Sequence, residues 1–338
     1  MVDLKKEIIL VAREMGIDKV GFTSKERLGA TPPSGNLAGV LPNARSAISL
    51  VVAFDRPAMR AFLAKEDQLA HCKDQSLAYK KLKDASIAIA NLLKERGHEA
   101  ASPFANFTWR RDVAWMTMAP PISHKYVAVA SGVGWMGWSG NVMTPEYGAA
   151  ICLSSVVTST ELEPTPLLEG DPPCDTCRLC VPVCPSYYIS QKEKTSVHIG
   201  GRAFYLHKRA SNLRCLVTCS GGNGVKGPNA RWSTWSHRVL DLPGRGNDEL
   251  FERRVLDYAR GPGGELLSRA IELEKYGAQN WEQYEVLVGL LKNRAFSCGY
   301  CMLICWPDMD DRKKNYRLLL TSGRVIKDRG TSVNSRGI

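Results

Sequence analysis

Cys174-Asp175-Thr176-Cys177-Arg178-Leu179-Cys180-Val181-Pro182-Val183-Cys184-Pro185 is the stretch that decides how this chain is read. Its spacing, Cys-x2-Cys-x2-Cys-x3-Cys-Pro, is that of bacterial iron–sulfur ligation. Short loops let the first three thiolates reach three irons of one cube, and the fourth turns away to a second cluster. A zinc site needs only four tetrahedral donors and does not explain a fourth cysteine aimed elsewhere. The same geometry demands a partner run, and Cys298-Gly299-Tyr300-Cys301-Met302-Leu303-Ile304-Cys305 supplies it. Cys305 completes the first set beside Cys174, Cys177 and Cys180. Cys184, Cys298 and Cys301 make three ligands of a second set. The fourth must come from Leu213-Arg214-Cys215-Leu216-Val217-Thr218-Cys219, where Cys215 and Cys219 both qualify and one thiol is left over.

Nine of the eleven cysteines fall between Cys174 and Cys305, with no export signal in front, so metal ligation is expected rather than disulfides. Cys72 and Cys152 lie outside this zone and read as ordinary core cysteines. The 338 residues suffice for one large domain or two ordinary ones, and 44% hydrophobic with 23% charged residues excludes wholesale disorder. No apolar run reaches the length of a membrane span. The expected protein is therefore cytoplasmic, with no membrane partner. The net charge is +11, and residues 312–338 hold eight basic residues against one acid. Such a tail suits nucleic acid, an anionic substrate or an acidic electron donor, or is a solvated terminus.

Around the cysteines, helices alternate with buried strands. Helices are expected over 3–15, 75–96 and 123–130, and strands over 19–23, 47–54, 98–102 and 149–159. The proline-rich stretch 163–173 is the natural boundary. Beyond it strand signals largely vanish, and helices are expected over 248–276 and 281–291. The organisation that follows is an α/β (α+β) domain over 1–170, a two-cluster module over 171–310 and a basic tail over 311–338.

With these runs, the chain resembles the cobalamin-dependent iron–sulfur reductases, which comprise the reductive dehalogenases and the epoxyqueuosine reductases. Leu4 to Arg27 and Leu41-Pro42-Asn43-Ala44-Arg45-Ser46-Ala47-Ile48 look like shared opening segments, the former closest to the epoxyqueuosine reductases. Gly132-Val133-Gly134-Trp135-Met136-Gly137 looks like the glycine-rich segment beside the corrinoid. Thr144-Pro145-Glu146-Tyr147-Gly148 is more similar to the dehalogenases. The resemblance implies a nitroreductase-like core holding base-off cobalamin, and a ferredoxin-like module carrying two [4Fe–4S] clusters. It also selects Cys215 over Cys219. Its implied corrinoid contacts are Gly132, Gly134, Trp135, Gly137, Asn141 and Tyr147.

Where epoxyqueuosine reductases carry an acidic proton donor, this chain has Met118-Ala119-Pro120-Pro121. The proton donor is therefore sought elsewhere: Tyr126 first, His124 as the alternate, and Arg110 as the assisting cation, with Lys125 and Arg111 nearby. Trp232 and Trp235 are read either as a pocket lid or as packing. The leading expectation is a reductive dehalogenase-like enzyme that removes a substituent, halide first, from a small-molecule substrate. Its electrons would come from ferredoxin or flavodoxin. The alternatives are an epoxyqueuosine reductase-like enzyme acting on tRNA, less favoured because of Met118, and a corrinoid-free electron-transfer protein.

Overall fold

A computed structural model describes residues 3–103, 108–225, 229–261 and 297–326. The strongest local signals become the expected elements. Helix α1 (Leu4–Glu14) starts where the Asp3 carboxylate accepts from the Lys5 amide, and strand β1 (Lys19–Ser24) follows. Strand β2 (Ser46–Ala53) is an unbroken apolar and small-residue run, buried over seven of its eight positions. Helix α2 (Arg56–Leu63), capped by Asp55, is an addition to the expected set. Helix α3 (Gln68–Glu95) begins seven residues earlier than expected because Asp67 accepts from the amides of Leu69 and Ala70. It is followed by the short strand β3 (Ala100–Ala101) and by helix α4 (His124–Ala130), capped by Ser123. The two-residue strands β4 (Trp135–Met136) and β5 (Val142–Met143) pair with each other, and β6 (Ile151–Thr158) closes this half.

The main sheet has the order β1-β2-β6-β3, every pair antiparallel. Both faces of β2 are covered. Ile48, Leu50 and Val52 point into a core shared with α1, α2 and α3, whereas Ala47 and Val51 point into a second core with α4. That two-sided burial explains why β2 reads as continuous apolar sequence rather than as alternation. The mixed α/β class is thus what the chain adopts.

Two expectations past residue 170 need correcting. Strands do continue there: β7 (Lys194–Ile199) and β8 (Arg202–His207) form a hairpin through Gly200 and Gly201, both at positive φ. The hairpin was obscured by its alternating exposed positions, but Val197, Ile199, Phe204 and Leu206 join the α4 core. The tail is not tail-like at its start either. Helix α8 (Met309–Thr321), capped by Asp308, docks its Leu319 in the core with α1–α3, and Arg312 is only 3% exposed. Between them lie α5 (Asn212–Cys219), α6 (Asp248–Arg260) and the single turn α7 (Tyr300–Leu303). The expected helices beyond residue 261, and the basic residues from 327 on, fall outside the described residues.

Trp232 and Trp235 pack rather than cover a pocket. The Trp235 indole donates to the Phe62 carbonyl at 3.0 Å, and Trp232 meets the Tyr300 ring edge-on at 5.9 Å. Both cores draw residues from before and after residue 170, with Tyr300, Leu303 and Trp306 buried against α2 and α3. No helix among the described residues is long and apolar enough to cross a membrane.

Candidate functional site

Two groups of cysteines converge beside the β4–β5 turn. The first consists of Cys174, Cys177, Cys180 and Cys305, and all four line one cavity with Trp138, Met143 and Arg312. The 174–180 loop winds tightly, with Thr176 at φ 58° and Arg178 at φ 59°, conformations uncommon outside glycine. Its Cys177 amide donates to Asp175 Oδ1 at 3.1 Å. Cys305 arrives from the other direction, after α7. Its carbonyl accepts from the Ala149 amide at 2.8 Å, and an added Cβ on Gly148 would sit 2.2 Å from that oxygen. The Thr144–Gly148 turn therefore sets the position of Cys305, and Gly148, at φ +60°, permits the contact.

Three further groups serve this site. The Trp138 backbone N–H donates to Cys174 Sγ at 3.2 Å while its indole donates to the Ser190 carbonyl at 2.9 Å. Met143 Sδ lies 3.6 Å from Cys305 Sγ. Arg312 donates to Asp175 Oδ1 at 2.9 Å, to Cys177 Sγ at 3.9 Å and to the carbonyls of Pro173, Trp306 and Pro307. Sequence reading counted Arg312 as tail charge; only its burial reveals it as the pin of the cysteine loop. Burial pushes the Cys305 thiol up to about 12, with Arg312 pulling the other way. It pushes Cys180 up as well, helped by the neighbouring Cys305, Cys174 and Cys177.

The second group gathers Cys184, Cys215, Cys298 and Cys301. Cys180 and Cys184 lie in one buried cluster, with Cys174 and Cys301 packed against it, so the two groups adjoin. Cys215 is held by α5, which Arg214 anchors. That fully buried guanidinium pairs with Asp248 at 2.7 Å and caps the carbonyls of Ser186, Pro243 and Gly244. Gly299, at φ 111°, turns the chain between Cys298 and α7. Cys219 stands here too, with its Sγ 3.9 Å from that of Cys215. Asn141 Nδ2 donates to Cys301 Sγ at 3.7 Å. Lys125 Nζ holds Asn141, donating to its Oδ1 at 3.1 Å and to the Gly140 carbonyl at 2.9 Å. Burial brings Lys125 down to about 8, and Arg209 adds to the drop, while Cys301 and Cys215 oppose it.

Among the described residues, no group of three or more His, Cys, Asp or Glu side chains closes around a single ion. The remaining cysteines behave as expected of core residues: Cys152 is buried in the α3-side core, and Cys72 is half-buried on α3.

The other candidates are dispersed. Tyr126 packs against the α4 core, and burial raises its phenol above the ordinary value. His124 Nδ1 lies 2.9 Å from Ser155 Oγ on β6. Arg110 is engaged by Asp112, two residues on. Lys125, between His124 and Tyr126, is the α4 residue linked to the thiols, through Asn141. Tyr147, on the Thr144–Gly148 turn, packs against the α4 core, and burial raises its phenol above the ordinary value. Met118 takes φ 48° and packs beside Leu213 and Val217.

The glycine segment serves its own chain. A Cβ on Gly132 would come within 2.0 Å of the Pro166 carbonyl oxygen, and one on Gly134 within 2.4 Å of Val142 Cγ1. On Gly137 it would meet Met143 Sδ at 3.1 Å, and Trp135 stacks edge-on against Phe204 at 4.8 Å.

No family model matches the chain. Over 216 residues it is 26% identical to the epoxyqueuosine reductase of Bacillus cereus, covering 56% of this chain and 53% of that protein. Over 209 residues it is 31% identical to the epoxyqueuosine reductase of Listeria monocytogenes, covering 54% and 52%. The chain thus spans about half the length of these curated relatives. Among solved structures, a catabolic reductive dehalogenase aligns with TM-score 0.48 at 15% identity, over 65% of this chain and 30% of that one. An epoxyqueuosine reductase with an epoxyqueuosine-modified tRNA stem loop aligns with TM-score 0.44 at 17% identity, over 94% and 81%. The resemblance read from the cysteine runs is therefore met by sequence relatives in one of its two groups.

Proposed function

We propose that this protein is an iron–sulfur oxidoreductase of the epoxyqueuosine reductase type, carrying two [4Fe–4S] clusters. The observation that carries the proposal is the convergence of two separate cysteine runs into two adjoining groups of thiols. Cys174, Cys177, Cys180 and Cys305 would hold one cluster. Cys184, Cys215, Cys298 and Cys301 would hold the other. When bound, such clusters supply one-electron transfer. The chain's own contribution is to hold the thiolates and set their surroundings. Arg312 fixes the Cys177 loop and offers positive charge to it, the Trp138 amide donates to Cys174, and Asn141, held by Lys125, donates to Cys301. Hydrogen bonds and charge at the sulfurs are what tune a cluster's potential.

The proposed substrate class shifts with the relatives. Their names support epoxide reduction on epoxyqueuosine in tRNA, the alternative in the sequence reading, over halide removal. Met118 still lacks the carboxylate expected there, so a proton must come from another group. Tyr126 and His124, with Arg110 as a cation, stay as proposed participants. A corrinoid is implied by resemblance alone. Of the residues expected to seat it, Gly132 and Gly134 have the chain's own Pro166 and Val142 where a Cβ would point. A nitroreductase-like segment 1–170 and a ferredoxin-like segment 171–310 follow the same resemblance. The donor would be a low-potential ferredoxin or flavodoxin.

Anaerobic purification with cobalamin supplied, followed by iron, sulfide and cobalt analysis, tests the cofactor reading. About eight irons per chain support it, and four or fewer overturn the two-cluster assignment. Incubating the reduced protein with epoxyqueuosine-containing tRNA tests the substrate, and unchanged nucleoside under full reduction overturns that part.

A further inference from the structure

The second group holds more thiols than a cluster can use. A four-iron cube takes one thiolate per iron, four in all, yet Cys184, Cys215, Cys219, Cys298 and Cys301 meet there. Cys215 and Cys219 are four residues apart on α5, so they share a helix face. Their sulfurs are 3.9 Å apart, and the Cys219 carbonyl accepts from the Ser297 amide at 3.2 Å, so the end of α5 lies against the segment that carries Cys298. Arg214 anchors α5 through four separate partners, which fixes this juxtaposition.

We propose that Cys219 is an exchangeable ligand of the second cluster, able to replace Cys215 on the same iron. The inference rests on the two-cluster reading above. The exchange is redox-neutral: a Cys219–iron bond forms as the Cys215–iron bond breaks, and the proton leaving Cys219 passes to the departing Cys215 thiolate. Because both thiols sit on one helix face, no backbone rearrangement is needed.

The test uses the full chain, purified anaerobically as wild type, Cys215→Ser, Cys219→Ser and the double variant. Iron and sulfide content and the EPR spectrum of the reduced protein are the readouts. Both single variants are expected to keep about eight irons, and the double variant to fall to about four. Cys215→Ser should also alter one cluster's EPR signal while leaving the other's untouched. Retention of that other signal in every variant shows that the protein has folded. Loss of about four irons in either single variant overturns the exchange, since one cysteine is then the sole ligand. Eight irons in the double variant overturn it too. Wild type with four irons or fewer rejects the two-cluster reading itself, a separate failure.

Discussion

The two thiol groups are built in opposite ways. The first is a loop site: three of its four cysteines lie within one short irregular segment, and Cys177 is exposed. The second is assembled from distant pieces, with Cys184 after the loop, Cys215 on α5 and Cys298 and Cys301 flanking the start of α7. A loop can wrap a cluster but has no stiffness of its own, so the first group depends on pins from outside, chiefly Arg312 and the Trp138 amide. The second inherits rigidity from its helices, and its neighbours act on charge rather than on shape. Proximity in sequence thus makes a site easy to read and leaves it needing support; dispersal does the reverse.

The largest effect that separates the two should come from Arg312→Met. It strips one ion pair and three carbonyl partners from the first loop, at a cost of about 2–4 kcal/mol. Thermal unfolding measures that cost. Bleaching in air, followed with the EPR signals, should show the first cluster lost faster while the second decays as before. Equal acceleration of both would mean that Arg312 supports the whole molecule and not one loop. Gly134→Ala comes next. Its methyl would press on Val142 and the Met143 carbonyl, and overpacking of that kind costs about 1–3 kcal/mol. Because Met143 touches Cys305, the first site should feel it more than the second. If stability is unchanged, the close packing does not explain this glycine, and a seat for a cofactor regains weight. The smallest effect belongs to Asn141→Ala, which removes a donor to Cys301 Sγ. Stability should move by no more than about 1 kcal/mol. Redox titration should show the second cluster's potential falling and the first's unmoved, because a lost hydrogen bond stabilises the reduced, more negative state less. Equal shifts would break the separation between the groups.

The legible parts of the site were those coded by local spacing or by unbroken burial. The cysteine runs announced both groups, and the apolar run at β2 announced a covered strand. Arg312 gave no such signal: among eight basic residues in its segment nothing marks it, and only docking of α8 against the 174–180 loop sets it apart. The β7–β8 hairpin was missed because its outward positions are charged and polar, which dilutes a strand's hydrophobic signal. The glycine segment carries a signal of another kind: it was read for an approaching ligand, and at Gly132 and Gly134 the chain's own Pro166 and Val142 lie where a Cβ would point, so packing calls for glycine there as well.

What the sequence by itself determined, then, is the donor chemistry: which residues are thiols, how three of them are spaced, and that a second run must meet them. Tertiary structure alone decided which groups stand against those thiols. It placed Lys125 and Asn141 at one site, Arg312 and Trp138 at the other, and a fifth cysteine where four are required. The physical reason is range. Ligand spacing is set by a few backbone torsions in a row, whereas the charges and donors around a thiolate come from segments brought together only when the cores close.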